Sequence, residues 1–392
     1  ACTAVPPITV PPAGSFSGLD NGTRTERGES NTSPEDAAAT GTPDVAVSEG
    51  ELLDFDFVDR QTGWMLTTDG LWLTEDGARS WRNTDVSSND GSIAAAAFTD
   101  RRHGWIVVRR QRSDLPQLQV EVLRTRDGGR KWIPVTDHPL LLPPDASGAM
   151  SIHIANGGRL LWLSIRRESS SNFSRGVLLS SGDGGQTWEN SDLPAGGTVT
   201  FVDARLGWLT GDEGRRLFVT RDGGRTWEQQ IVTAPSWVSQ TDNALYGRVT
   251  VYDGQAFLPV TWIGEPSGIA WYRTDSSANW VYAGSVQFPY VLPTSISART
   301  SVAGLGTWIA ATPNGAWVLR TDDGGHMWQH LRTRGLPGPV IHIDFVSPAE
   351  GWAMMVLGEC RLSKDPCKYQ ESLRRTVDGG RTWTAVNLPY RR

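Results

Sequence analysis

The octet TRDGGRTW, Thr220–Trp227, is one of six good copies of a pattern that recurs along the chain. The other five are TEDGARSW at Thr74–Trp81, TRDGGRKW at Thr125–Trp132, SGDGGQTW at Ser181–Trp188, TDDGGHMW at Thr321–Trp328 and TVDGGRTW at Thr376–Trp383. A seventh copy, TDSSANW at Thr274–Trp280, is one residue short and lacks the glycine. The copies lie about fifty residues apart, which is the length of one four-stranded sheet per repeat.

Each octet is typical of a hairpin turn. A carboxylate can accept backbone hydrogen bonds inside the turn, a glycine takes the positive φ, and the Ser or Thr two places earlier adds a second cap. The closing tryptophan can fold back as the hydrophobic plug of the unit. The predicted turn residues are Asp76, Asp127, Asp183, Asp222, Asp323 and Asp378, and the predicted plugs are Trp81, Trp132, Trp188, Trp227, Trp280, Trp328 and Trp383.

A second motif precedes the octets by about 20 to 30 residues. It reads FVDRQTGW at Phe57–Trp64, FTDRRHGW at Phe98–Trp105, FVDARLGW at Phe201–Trp208 and FVSPAEGW at Phe345–Trp352, with looser versions ending at Trp162 and Trp308. The motif indicates an inner strand, a polar turn and a second strand that begins with Gly-Trp. We therefore predict an all-β, seven-bladed propeller over residues 48–392, with four antiparallel strands per blade.

These copies resemble the Asp-box, or BNR, repeat of β-propellers, and the resemblance covers residues 50–390. That repeat occurs in sialidases, other glycoside hydrolases, sortilin-type receptors and assembly factors, so it implies architecture and not chemistry. The Phe-Asp-Gly-Trp motif is most similar to that of the photosystem II stability and assembly factor family. The resemblance implies a seven-bladed propeller that helps to assemble a membrane complex without catalysing a reaction.

Residues 1–47 are rich in Pro, Thr, Ser, Gly and Ala, and are predicted to form a flexible stalk. Ala1-Cys2 before this stalk resembles a bacterial lipoprotein junction, which predicts a lipid on Cys2 and an extracytoplasmic location; an accidental cysteine is the alternative. Cys360 and Cys367 either form a disulfide across a polar loop or remain two free thiols. The sequence contains no run of about 18 apolar residues, which is the pattern that would predict a membrane-spanning helix.

The formal charge of −6 excludes a generally basic nucleic-acid binder. The chain contains no Gly-rich phosphate loop, HExxH or GxSxG motif, and no R-x-P triplet of the kind that sialidases carry. We therefore expect a non-catalytic binding or assembly propeller that docks on a protein partner or membrane complex, with no cofactor. The alternative is a glycan-active propeller, hydrolase or lectin, in which Trp237, Trp262 and a Tyr-rich fifth blade stack on sugars.

One carboxylate cluster follows from ring closure. Asp54 and Asp56 on the first inner strand should face His342 and Asp344 on the last, across the central channel. Such side chains are weak candidates for a divalent cation site, against the alternative that they only line an aqueous channel. His153 occupies a similar place on the third inner strand.

Arginines are predicted to gather on the ring face opposite the octet turns, where second strands connect to third strands. They are Arg109, Arg110, Arg112, Arg166, Arg167, Arg175, Arg215 and Arg216. Because guanidinium groups form bidentate hydrogen bonds with carboxylates and phosphates, this face is a candidate docking surface for an acidic partner. The alternative is a solvated rim in an arginine-rich chain.

Overall fold

The computed structural model describes residues 51–84, 86, 91–110, 118–143, 145–168, 175–239, 243–288, 298–312, 317–359 and 368–389, without the side chains of 357–359 and 368–370. Within them the chain forms seven antiparallel sheets in sequence order, which confirms the predicted seven-bladed propeller. No helix in this described part has the length and hydropathy to cross a bilayer. The predicted stalk, Cys2, Arg112, Cys360 and Cys367 lie outside these residues.

The blades are consecutive along the chain. Blade 1 contains β1 to β4, at Leu52–Phe57, Gly63–Thr67, Gly70–Thr74 and Arg82–Asn83. Blade 2 contains β5 to β9, at Gly91–Phe98, Gly104–Arg110, Gln119–Thr125, Ile133–Pro134 and Leu140–Leu141. Blade 3 contains β10 to β13, at Met150–Ala155, Leu160–Arg166, Gly176–Ser181 and Glu189–Leu193. Blade 4 contains β14 to β17, at Gly197–Phe201, Gly207–Gly211, Arg216–Thr220 and Glu228–Gln230.

The remaining three blades follow the same order. Blade 5 contains β18 to β22, at Ala244–Tyr246, Thr250–Tyr252, Gln255–Trp262, Ser267–Thr274 and Trp280–Phe288. Blade 6 contains β23 to β26, at Arg299–Val302, Trp308–Ala311, Val318–Thr321 and Gln329–Leu331. Blade 7 contains β27 to β30, at Val340–Phe345, Gly351–Glu359, Lys368–Thr376 and Thr384–Ala385. In blades 2 and 5 one of the four strand positions is split into two short pieces, β8 with β9 and β18 with β19.

The octet forms the turn between the third and fourth strands. In blade 4 the buried Thr220 hydroxyl donates to Asp222 Oδ1 (2.8 Å) and accepts from the Gly224 N–H (2.9 Å). Asp222 Oδ1 also accepts from the Thr226 N–H at 2.9 Å, and the Thr226 hydroxyl donates to Oδ2 at 2.6 Å. Gly224, at φ +96°, is in the left-handed region that side chains disfavour. The turn is thus a closed hydrogen-bond network that leaves little conformational freedom.

The Phe-Asp-Gly-Trp motif forms the turn between the first and second strands. A Cβ on Gly63 would lie 2.4 Å from the Phe57 ring, so only glycine allows the phenylalanine to pack against its own turn. The phenyl ring then reaches the neighbouring blade. Phe57 stacks on Trp352 of blade 7 at 3.5 Å between ring centroids, and Phe201 of blade 4 stacks on Trp162 of blade 3 at 4.1 Å. The motif therefore joins adjacent blades.

The apolar core is divided into seven clusters, and each lies between two neighbouring blades. The cluster that contains Phe55 and Met65 of blade 1 also contains Trp352 and Leu373 of blade 7. The ring is therefore closed by the same kind of apolar interface that joins consecutive blades.

Blades 1 and 7 each have four strands of their own, so no strand is exchanged between them in the described part of the chain. Polar contacts instead reinforce the apolar seam. Arg375 of blade 7 pairs with Glu350, donates to the Gly77 carbonyl of blade 1 at 3.2 Å and lies over the Trp352 ring. Arg60 of blade 1 lies 3.4 Å from Glu350. Arg375 and Glu350 are both largely buried, at 17% and 10% side-chain exposure.

A substitution in one octet tests the turn network. Thr220→Val leaves the Gly224 N–H without its buried acceptor, so we expect a loss of about 1–3 kcal/mol in the free energy of unfolding. The matched control is Thr226→Val in the same turn, where the hydroxyl is exposed and the loss should stay below about 1 kcal/mol. Urea unfolding followed by tryptophan fluorescence measures both, and equal losses would contradict the prediction.

Substitutions at the blade 7–blade 1 seam test ring closure. Arg375→Met leaves Glu350 as a buried carboxylate facing only the exposed Arg60, so we expect a loss of about 3–5 kcal/mol. The double variant Arg375→Met/Glu350→Gln should recover part of it, because the uncompensated charge is removed. Arg130→Met, which breaks the exposed pair between Arg130 and Glu75 at 2.8 Å, should cost less than about 1 kcal/mol. A double variant less stable than Arg375→Met alone would refute this explanation.

Candidate functional site

The central channel is enclosed by the innermost strands of all seven blades. It forms a cavity of about 920 Å³ with lining residues from every blade. Its wall carries charges of both signs: carboxyl groups stand on the neighbouring blades 1 and 7, and arginines stand on blades 2, 5 and 6. These charged groups make the channel the candidate functional site.

Asp54 and His342 form a pair across the closing seam. Asp54 Oδ1 lies 3.2 Å from His342 Nδ1, and the His342 ring packs against Phe55 with centroids 4.6 Å apart. Burial opposes ionisation of Asp54, but the hydrogen bond and charge of His342 outweigh burial, so the pKa of Asp54 is lowered. Asp54 is thus a charged group with a partner in the channel wall.

Asp56 and Asp344 form a second pair, further along the same two strands. Burial, and then the charge of Asp344, raise the pKa of Asp56 well above its usual value. Burial also raises the pKa of Asp344, to about 6, and Asp344 Oδ2 accepts from the Phe57 N–H at 3.4 Å. Both carboxyl groups therefore keep a proton to higher pH than an ordinary aspartate does.

The four predicted side chains thus meet across the seam, but as two separate pairs rather than one set of cation ligands. Among the described residues, no group of three or more His, Cys, Asp or Glu side chains is arranged to hold a metal ion.

His153 has a structural contact in the channel wall. Its Nε2 lies 2.9 Å from the Phe201 carbonyl oxygen of the next blade, so this nitrogen carries the proton and donates. Burial lowers the pKa of His153 to about 4. The imidazole is neutral at pH 7 and joins blades 3 and 4.

Arg248 on blade 5 and Arg299 on blade 6 also line the channel, with blade 6 directly beside blade 7, and the sequence reasoning did not identify either of them. The positive charge of Arg248 acts to lower the pKa values of Asp54, Asp56 and Asp344, although burial keeps those of Asp56 and Asp344 raised. Neither arginine belongs to the octet or to the Phe-Asp-Gly-Trp motif. A sequence signal for both residues exists: each is an arginine in a short run that precedes a predicted second strand, Arg248 in GRVTVY and Arg299 in ART.

The arginines predicted to form a docking face lie on their expected blades, but several are held by their own chain. Arg110 pairs with Glu121 at 2.6 Å, Arg167 pairs with Asp192 at 2.7 Å, and Arg216 pairs with Asp212. Arg109 donates to the Gly148 carbonyl at 2.6 Å and reaches the channel wall. These four guanidinium groups stabilise the connections on which they lie.

Three other members of the predicted docking face are exposed. The guanidinium groups of Arg166, Arg175 and Arg215 form no hydrogen bond or ion pair with any residue the structure describes. The face therefore presents fewer free guanidinium groups than the count of arginines predicts. The reason is that carboxylates lie beside Arg110, Arg167 and Arg216 and pair with them; these are Glu121, Asp145, Asp192 and Asp212.

The aromatic residues proposed for sugar stacking differ in exposure. Trp262 is 2% exposed, and the partly buried Trp237 covers Gly268 and donates from its indole N–H to Ser285 Oγ at 3.0 Å. Tyr246 and Tyr272 are buried as well, whereas Tyr252 and Tyr282 are exposed. The buried rings of Trp262, Tyr246 and Tyr272 are not available to a ligand.

No protein-family model and no curated protein matches the chain. Among solved structures, the chain is similar to "YCF48 bound to D1 peptide", at 20% identity and TM-score 0.49 over 80% of this chain and 95% of that one. It is also similar to the GH74 xyloglucanase from Xanthomonas campestris, at 16% identity and TM-score 0.50 over 83% of this chain and 55% of that one. At 16% identity, the similarity to the xyloglucanase supports the propeller fold and says nothing about activity.

The carboxyl pair predicts a pH-dependent stability. Asp344 binds its proton more tightly in the folded channel than in the unfolded chain, so its contribution is full below about pH 4 and is lost as the pH rises through about 6. Asp344→Asn removes the group that is unfavourable when ionised, so it should raise the free energy of unfolding at pH 7. The effect of this substitution at pH 7 should exceed its effect at pH 4 by about 1–3 kcal/mol. Thermal unfolding at both pH values measures the difference.

Asp54→Asn is the matched control in the same channel. The pKa of Asp54 is lowered, so its contribution is present above its ordinary pKa and is lost as the pH falls. This variant should destabilise the protein at pH 7 and have less effect at pH 4. If both variants changed the free energy of unfolding in the same direction at pH 7, the assigned pairings would be wrong.

Proposed function

We propose that this chain is a non-catalytic binding propeller that receives part of a protein partner in its central channel. The observation that supports the proposal is the difference between the carboxyl groups and the guanidinium groups of the channel. Asp54, Asp56 and Asp344 interact with one another or with His342, whereas the side chains of Arg248 and Arg299 form no hydrogen bond or ion pair with the described residues. Groups left unpaired in a cavity are those available to a ligand.

The acid pair argues against hydrolysis of glycosides. Glycosidases generally hold two carboxyl groups about 5 to 10 Å apart, on either side of the scissile bond. Asp56 and Asp344 instead lie on neighbouring inner strands, close enough for the charge of Asp344 to raise the pKa of Asp56, and so form one pair on the channel wall. Together with the burial of Trp262 and the partial burial of Trp237, this arrangement favours a protein ligand over a glycan.

The role as an assembly factor, the location outside the cytoplasm and the lipid on Cys2 stay predictions from the sequence. They are consistent with a binding propeller, because a ring with an open channel needs no cofactor or reaction to hold a partner. The sequence resemblance to assembly factors points to a membrane complex as the place where such a partner would be found.

Site-specific photo-crosslinking tests the proposal. Benzoylphenylalanine is placed at Ser92, which is exposed and lines the channel, and at Gln229 on the outer strand of blade 4 as the matched control. After irradiation in the cells that produce the protein, we expect one protein adduct from the Ser92 variant that is absent from the Gln229 variant. Mass spectrometry identifies the adduct.

A second measurement separates binding from catalysis. Purified full-length protein is assayed against aryl glycosides and polysaccharides beside the Asp344→Asn variant. We expect no hydrolysis by either protein. Hydrolysis that disappears in Asp344→Asn, or the absence of any adduct from Ser92, would refute the proposed function.

A further inference from the structure

Arg248 owes its position to a break in the innermost strand of blade 5. Bulges also occur in the inner strands of blades 1, 2 and 7, but among the described inner strands only that of blade 5 is divided into two pieces. The innermost strand of blade 5 is split: Tyr246 pairs with Val260 and Thr250 pairs with Phe257. Three residues, 247 to 249, therefore face only two on β20, which makes a bulge. Bulges re-aim side chains, and this one leaves the Arg248 side chain exposed in the channel.

Arg299 is the neighbour of Arg248 on the first strand of blade 6. Burial, and then the positive charge of Arg248, lower the pKa of Arg299. The Arg299 Nε–H is buried and donates to no described atom. Two adjacent guanidinium groups, one with an unsatisfied buried donor, cost free energy unless an anion joins them.

The rest of the channel restricts which anion fits. Asp54 and Asp344 line the same channel on blades 1 and 7, and would repel a polyanion such as a nucleic acid or a polyphosphate. A single carboxylate avoids this repulsion, and its two oxygens match the planar donors of arginine. The favoured ligand thus carries isolated carboxylates on an otherwise uncharged body.

The channel wall also suits a peptide backbone. The innermost strand of each blade has a sheet neighbour on one side only, so its free edge presents unpaired N–H and C=O groups. Aliphatic side chains lie between the charged groups, and Leu53 is 47% exposed. Unpaired backbone groups and aliphatic surface are features that an extended peptide uses.

We propose that Arg248 and Arg299 bind the carboxylate of an acidic side chain on a peptide segment that enters the central channel. The inference rests on the proposed function and names the chemistry of the partner. The two guanidinium groups bind the carboxylate, while the edges of the inner strands accommodate the backbone on either side of it.

Calorimetric titration of the full chain tests the site. The probe is an acetylated, amidated peptide of alternating alanine and glutamate, and its control replaces each glutamate with glutamine. We expect Arg248→Met and Arg299→Met each to weaken binding of the glutamate peptide at least about tenfold. Arg248→Lys should lose less than Arg248→Met, because it keeps the charge but not the planar fork.

Arg215→Met is the matched control, because Arg215 is an exposed arginine outside the channel lining. It should leave binding unchanged, and melting temperatures of all variants confirm that each is folded. Equal binding of the glutamine peptide, unchanged binding in both channel variants, or inorganic phosphate binding as tightly as the peptide would overturn the site.

The crosslinking experiment distinguishes this proposal from the proposed function. If the Ser92 adduct persists in an Arg248→Met/Arg299→Met background, the carboxylate site is overturned and the binding function stands. If the peptide binds through both arginines and no adduct forms from Ser92, the site stands and the proposed function is overturned.

Discussion

The burial of apolar surface between neighbouring blades is the constraint on which the rest of the structure depends. Each sheet shares its apolar side chains with the sheets beside it, so no blade has a separate core. A row of such sheets would leave two apolar faces in water, and closing the row into a ring removes both. The stack of Phe57 on Trp352 and the buried Arg375–Glu350 pair belong to the interface at which this closure occurs.

The repeat motifs stabilise the turns and the interfaces between blades, and they do not supply the candidate binding residues. The octet aspartates accept hydrogen bonds from their own turns, and the tryptophans of both motifs pack between or beside sheets. Function is therefore to be sought where the repeat is least regular. Blade 5 has the shortened octet and the split inner strand, and it is the blade that places Arg248 in the channel.

The arginines of the channel differ from those of the ring face opposite the octet turns in whether they have an ion-pair partner. On the ring face, carboxylates from the same blades neutralise Arg110, Arg167 and Arg216. In the channel, the carboxyls are paired among themselves or with His342, so Arg248 and Arg299 receive no such neutralisation at hydrogen-bonding distance within the described part of the chain. A few unpaired guanidinium groups inside a cavity offer a ligand more than many paired ones on a rim, because a buried donor without an acceptor gains the most from binding.

The sequence by itself determined the blade number and the turn positions, whereas the way in which the ring closes was left open. Both determined features follow from a local pattern whose residues hydrogen bond or stack within a few positions of one another, as Thr220 and Asp222 do. It also placed Asp54 and Asp56 opposite His342 and Asp344, because ring closure makes the first and last strands neighbours. Only the tertiary structure decided that burial raises the pKa values of the inner carboxyls, that Trp262 is buried, and that Arg248 enters the channel. Those outcomes depend on distances between residues far apart in the chain and on one bulge, and neither spacing nor composition records them.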